Sequence, residues 1–207
     1  MSGLYNAYSG TVFQARHLRP SQVMLLLRGV CKGEPTAGLA RELGLPRSTV
    51  HGLRQQLQRN AQAMQPSTPL PDEVTVGTVG RTSGQVRLRV VKRTDGATLK
   101  RHVERFTHPG TRVCTDEWRG YNNLARPHAT VAHGRHKWAR DDDGDGVREV
   151  HTNTVEGMWT GVRNFLRPFR GVHKRYLCQY VAMCEFNINH KRVSPEFISA
   201  LVAKHSF

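Results

Sequence analysis

The chain is 207 residues long, with 31 Lys and Arg against 16 Asp and Glu and a formal net charge of +15. That length holds one sizeable domain, or a medium domain with a small companion, and the charge points to a polyanionic partner, nucleic acid first. A ribosomal role or plain solubilisation by Lys and Arg are the alternatives. No segment approaches a membrane span and no basic-then-apolar leader opens the chain, so neither a membrane partner nor secretion is expected.

Residues 1–19 show little periodicity and read as an irregular leader. A helix is predicted from Arg19-Pro20-Ser21, with Val23, Met24, Leu26, Leu27 and Val30 apolar, ending by Gly33. The stretch from Thr36 to Leu53 has the pattern of a helix-turn-helix. Ala40 is small where two helices cross, Gly44 permits the tight turn, and Val50 plugs the second helix onto the first. Leu39, Leu43, Leu53 and Leu57 supply the core. The second helix would present Arg47, Ser48, Thr49, His51 and Arg54 to a DNA groove, the alternative being an ordinary helical hairpin with polar outer faces.

Gln62 to Pro71 carries three prolines in a short polar run and reads as a linker. Val74–Val79 and Gln85–Val91 alternate as two strands of a hairpin joined by Gly80–Gly84. A helix follows over Asp95–Phe106, with Leu99, Val103 and Phe106 inward. Arg112-Val113-Cys114-Thr115 is a β-prone run, placing Asp116 where a strand gives way to a loop. After Asn122–Arg126 comes a short strand, Ala129–Ala132. Strands, a helix, a strand and more helices describe a mixed α/β layer rather than a bundle.

Gly134–Val150 is a polar loop containing Asp141-Asp142-Asp143-Gly144-Asp145-Gly146. Its order imitates the first half of an EF-hand, but the twelfth position is Thr152 and no helix precedes it, so a solvated acidic turn is expected instead of a calcium site. His128, His133 and His136 fit no common zinc spacing, and structural or phosphate-contacting roles are favoured. Cys31, Cys114, Cys178 and Cys184 form no C-x-x-C pair. Neither a zinc site nor a disulfide framework is expected of them, and Cys114 reads as a buried thiol.

From Asn153 onward, Val155, Met158, Trp159, Val162 and Leu166 fall at helical spacing and make an apolar stripe. Asn153, Glu156, Thr160, Arg163 and Arg167 share a polar face. Asp116 at a strand end, facing polar groups on this later helix, is an arrangement that can hold divalent metals for phosphodiester chemistry. Arg163, Arg167, Arg170, His173, Lys174 and Arg175 form a basic run that would grip phosphates; a solvated helix end is the plainer reading. Helices over Tyr176–Asn189 and Pro195–Lys204 close the chain.

Three motifs carry a family resemblance: Asp116-Glu-Trp-Arg-Gly-Tyr121, His151-Thr-Asn153-Thr-Val-Glu156-Gly-Met-Trp159 and Gly171-Val-His173-Lys-Arg-Tyr176-Leu. Jointly they resemble the ISXO2-like transposases of the IS1595 insertion-sequence family, over most of the chain. The resemblance implies an RNase H-like mixed-sheet domain over 74–207, after a helix-turn-helix region over 1–61 and a linker over 62–73. It implies a DDE-type site with two divalent cations, Mg²⁺ or Mn²⁺, and cutting and joining of mobile-element ends. The partners implied are double-stranded DNA, both element ends and target, and further copies of the chain in a homo-oligomer. The place implied is a prokaryotic cytoplasm, on DNA. By position Asp116 matches the second acidic residue, and Asn153 with Glu156 matches the final motif; which of those two binds metal stays open.

The chain departs from the family in two ways. The zinc ribbon with which relatives usually begin has no counterpart. The first catalytic Asp, in an Asp-Glu-x-Tyr motif on the first strand, is also missing; Asp72-Glu73 lacks the Tyr and stands beside the linker prolines. The first strand therefore reads as deleted, which would leave an open central sheet edge and remove a carboxylate that two cations share. On this reading the chain binds DNA better than it cuts it, as an active DDE enzyme or as a catalytically dead DNA-binding derivative or repressor. An ordinary helix-turn-helix regulator with an unrelated sensor domain is a weaker alternative, since nothing ligand-like marks the C-terminal part.

Overall fold

The structure is a computed structural model that describes residues 7–70, 74–75, 78–135, 137–190 and 194–204. Asp72, Glu73 and His136 lie outside the described residues. The chain divides into two units, Met1–Gln65 with Asn164–Phe207, and Pro66–Arg163. Compactness thus groups the last helices with the first ones, a different division from the linear boundaries at 61 and 73. Among the described residues the architecture is mixed α/β, with seven α-helices and six short strands.

In the first unit, Pro20 occupies the first turn of α1 (Pro20–Lys32), where its missing N–H costs nothing. Gln22 Oε1 accepts the Arg19 amide at 3.0 Å, and Gly33 ends the helix in the left-handed region. Then follow α2 (Thr36–Leu43) and α3 (Arg47–Ala63), with Gly44 at φ 63° ending α2. A left-handed residue there favours glycine, so the turn begins where the sequence placed it. A Cβ on Gly29 would collide with the Leu39 side chain, which is why α1 and α2 approach so closely at that point. Leu39, Ala40, Leu43, Val50, Leu53 and Leu57 are all buried, as their spacing requires.

The C-terminal helices α6 (Lys174–Asn189) and α7 (Pro195–Val202) add Met183, Phe186, Phe197 and Leu201 to the same core. Asn60 on α3 donates to the carbonyls of Leu201 and Ala203, at 2.8 and 2.7 Å. The expected irregular leader is better built than its sequence suggested. Val12 N donates to Val202 O at 2.9 Å, Thr11 bridges Ala203, and Phe13 is buried. Aperiodic segments carry no sequence signal for such pairing, because the partner is far along the chain.

In the second unit the strands are β1 (Val74–Thr75), β2 (Val79–Gly80), β3 (Val113–Thr115) and β4 (His128–Thr130), in the order β2-β1-β3-β4. Antiparallel pairing joins β1 to β2, whereas β1–β3 and β3–β4 are parallel. The segment read as one strand over 74–79 is therefore two. The strand expected over 85–91 is reduced to a single bridge, Val79 with Val86. Backbone bonds from Gly80 N to Gln85 O and from Arg87 N to Thr78 O flank that bridge, while the buried Arg87 side chain donates to Thr68 O and Val86 O, and that of Arg89 donates to Pro66 O and stacks over Phe106. The open central edge expected from a lost first strand is not found, because β1 lies between β2 and β3.

Crossing back from this edge, α4 (Gly96–Phe106) is capped by Asp95, which accepts from Thr98 N. Its Val103 packs with Leu70 and Val113. A second ribbon pairs β5 (Ala139–Arg140) with β6 (Val150–His151), and α5 (Asn153–Leu166) follows directly. Val155, Met158 and Val162 are buried as expected, but Trp159 is 42% exposed and belongs to a pocket wall, not to the apolar stripe.

Candidate active site

Val113, Cys114 and Thr115 are fully buried and hold β3 in the sheet, so the chain emerges at Asp116. Asp116 is exposed, and its Oδ1 accepts the Trp118 amide at 3.1 Å. Glu117 lines a neighbouring pocket with Asp116 and His133, and its two carboxylate oxygens accept the amides of Gly134 (2.6 Å) and His133 (2.8 Å), which lower its pKa. This bond set ties the loop after β3 to the short turn His133–Arg135.

Glu156 comes from the first turn of α5. Thr152, nearly buried just before that helix, donates its hydroxyl proton to Glu156 Oε1 at 3.1 Å. The same hydroxyl oxygen lies 3.0 Å from His133 Nε2, and both bonds are satisfied when that nitrogen carries the ring proton. His133 Nδ1 is then 3.7 Å from Glu156 Oε1, an ion pair whenever the imidazole is protonated.

Asp116, Tyr121, His133, Thr152, Glu156 and Trp159 line one cavity of about 190 Å³. Burial, with the Asp116 charge adding to it, pushes Tyr121 up to about 12, so its phenol stays protonated. Two of the three expected site residues are thus brought together. Asn153 is exposed at the start of α5 and is not one of the cavity's walls. Sequence reading gave His133 a structural or phosphate-contacting role and passed over Thr152 and Tyr121. The signal for the last two was their place inside the motifs that end at Tyr121 and begin at His151.

The carboxylates of the 141–149 loop do converge. Asp141, Asp143 and Glu149 place ligand atoms within 4.8 Å of one another, a grouping that Asp116, His133 and Glu156 do not reach. Yet Asp141 already accepts the amides of Gly144 (2.6 Å) and Gly146 (2.9 Å), and Asp143 that of Asp145 (3.2 Å). Asp142 is held by Arg140 and, at 2.8 Å, by Arg112. The loop closes on its own backbone, in the manner of an acidic turn.

Of the residues expected on DNA, Arg47 and Ser48 are exposed in the first turn of α3, Thr49 is half-buried, and His51 is exposed with its ring 6.0 Å from that of Tyr176. Arg54 must be corrected. It is fully buried, donates to Glu34 O, and places its guanidinium 5.5 Å from the Phe169 ring. A side chain so enclosed cannot read a groove. Arg163 is exposed on α5 and donates to Thr160 Oγ1 at 3.2 Å. Arg167, Arg170, Lys174 and Arg175 are exposed along the turn that leads into α6.

The family model of the ISXO2-like transposase domain matches residues 53–189, from within α3 to the end of α6. The chain belongs to this family, and its place is therefore in DNA transposition. No curated protein and no solved structure matches it. A DDE-type family implies a divalent metal. Among the described residues no helix is long and apolar enough to cross a membrane.

Proposed function

We propose that the chain is a DDE-type transposase protein that binds mobile-element ends, with a reduced catalytic centre of RNase H-like descent at Asp116 and Glu156. The observation that carries this reading is that Asp116 at the end of β3 and Glu156 on α5 line the same cavity. Two carboxylates suit one Mg²⁺ or Mn²⁺, which takes one or two protein carboxylates and keeps several waters. Among the described residues these are the two carboxylates that line the cavity, with Glu117 beside Asp116 in the neighbouring pocket, and Asp72 and Glu73 lie outside those residues. A bound cation there would supply charge neutralisation at a phosphoryl oxygen.

The chain's own groups prepare the place. Thr152 orients Glu156 through its hydroxyl, Trp118 N holds Asp116, and Tyr121 offers a proton that it does not lose at neutral pH. Across the sheet, Val74 stands opposite Val113, three residues before Asp116. The described part of β1 thus pairs with β3 short of the Asp116 end.

A second reading, DNA binding without cleavage, is favoured by the departure of Asp72-Glu73 from the family's Asp-Glu-x-Tyr motif, since the Tyr is lacking. Nicking of supercoiled plasmid with Mg²⁺ or Mn²⁺ separates the two, run beside Asp116→Ala, Glu156→Gln, Asn153→Ala and a metal-free control. Nicking that disappears in Asp116→Ala and Glu156→Gln but survives in Asn153→Ala supports the two-carboxylate centre. Folded protein that binds DNA and never nicks it leaves the binding-only derivative.

A further inference from the structure

Within the unit formed by Met1–Gln65 and Asn164–Phe207 lies a cleft of about 900 Å³, between the starts of α2 and α3 and the segment 168–180. That volume is at the upper end of the roughly 300–1,000 Å³ of small-molecule pockets. Its charged walls are all of one sign: Arg41, Arg47 and Arg170 line it with His51 and His173, and no carboxylate does among the described residues. Three half-buried aromatic rings line it: Phe169 and Tyr180 meet edge to face with centroids 4.7 Å apart, and Tyr176 meets the His51 ring edge-on at 6.0 Å.

Three further observations bear on the charge it would accept. The starts of α2, α3 and α6 all border it, none has an acidic residue in its first turn, and α2 and α3 have no side-chain cap. Cations instead crowd two of those positive helix ends, Arg47 on α3 and Lys174 with Arg175 on α6, which is unfavourable until a negative group arrives. Beside the cleft, fully buried Arg54 stands at the Phe169 ring, and its Nε and Nη1 find no hydrogen-bond partner among the described residues. Burial lowers its pKa, and Glu34 and Tyr180 only partly offset that cost.

We propose that this cleft takes unpaired DNA: bases that have left the helical stack rest on Tyr176, Tyr180 and Phe169, with the adjoining phosphates on Arg41, Arg47 and Arg170. The proposal rests on the DNA-binding reading above and narrows it. A duplex offers phosphates to the rim but keeps its base faces stacked, so recessed rings are reached only by an unpaired nucleotide. Cationic grooves interleaved with aromatic platforms are the usual means of holding single strands.

The test measures full-length protein against a fluorescent oligothymidylate and against a blunt duplex of the same length, with Tyr176→Ala, Tyr176→Phe and Arg170→Ala alongside. Tyr176→Ala is expected to weaken the single strand about tenfold, the worth of one stacked base, and to leave the duplex within about twofold. Tyr176→Phe keeps the ring and should keep the affinity. A fluorescent purine analogue in the single strand should be quenched by the wild type and by Tyr176→Phe, but not by Tyr176→Ala. If Tyr176→Ala fails to melt cooperatively, Arg170→Ala at the exposed rim decides, with loss of single-strand affinity and a shallower salt dependence expected. Duplex binding without single-strand binding, or equal losses on both substrates, overturns the cleft proposal while leaving DNA binding intact. Binding to neither DNA overturns both readings.

Discussion

Around α1, α2, α3, α6 and α7, one continuous apolar core runs from Val12 to Leu201. Over residues 66–163 no described strand exceeds three residues, and among the described residues smaller clusters form around Val113 and around Cys114. There the position of the candidate site depends on polar bonds: Glu117 to the amides of His133 and Gly134, and Thr152 between His133 and Glu156. Helical packing can carry exposed cations without loss, because its stability comes from elsewhere. A site held by hydrogen bonds is exact only while each partner keeps its protonation state.

The widest test of that contrast is a core truncation. Leu57→Ala, at a fully buried position of α3, should cost about 2–5 kcal/mol. Chemical unfolding should show the loss in the midpoint. A cost under 1 kcal/mol would mean that the helical core is looser than its burial indicates.

A pH series probes the other unit. Burial lowers His102 from 6.5 to about 4, and its Nε2 lies 2.6 Å from Thr78 Oγ1. Its folded pKa is therefore below its unfolded one. The unfolded chain takes up the proton first, so this contribution is full above pH 6.5 and is lost as pH falls toward 4. The loss is on the order of 3 kcal/mol at most. His102→Gln should flatten that limb in urea unfolding at neutral and acid pH; an unchanged acid limb would remove His102 as its source.

A smaller effect separates the two classes of arginine. Arg47→Ala should weaken duplex DNA by about fivefold and reduce the salt slope by roughly one contact, as read by anisotropy. Arg54→Met should leave duplex affinity nearly unchanged, because the enclosed side chain makes no groove contact. Loss of duplex binding in Arg54→Met without loss of stability would contradict its enclosure. Least of all should come from Asp142→Asn in the acidic loop: its partners Arg140 and Arg112 are partly solvated, and the melting temperature should not move measurably.

Local pattern accounted for a good deal. The limits of α1, the turn at Gly44 and the buried faces of α2 and α3 follow from apolar spacing and glycine placement, which act over a few residues. Asp116 at a strand end and Glu156 in the first turn of a helix were legible for the same reason. The strand over 85–91 was not, since alternation of Val and Leu with Arg looks like a half-buried strand whether or not the arginines find carbonyls.

What the sequence by itself determined is the chain's charge, its family motifs and the residues able to do chemistry, because each of these is local or additive. Tertiary structure alone decided that His133 joins Thr152 and Glu156, that Arg54 is buried against Phe169, and that Arg47 at the start of α3 shares a cleft with the turn before α6. Each of those pairs residues far apart in sequence. Their meeting depends on how loops close and helices pack, which side-chain periodicity does not encode.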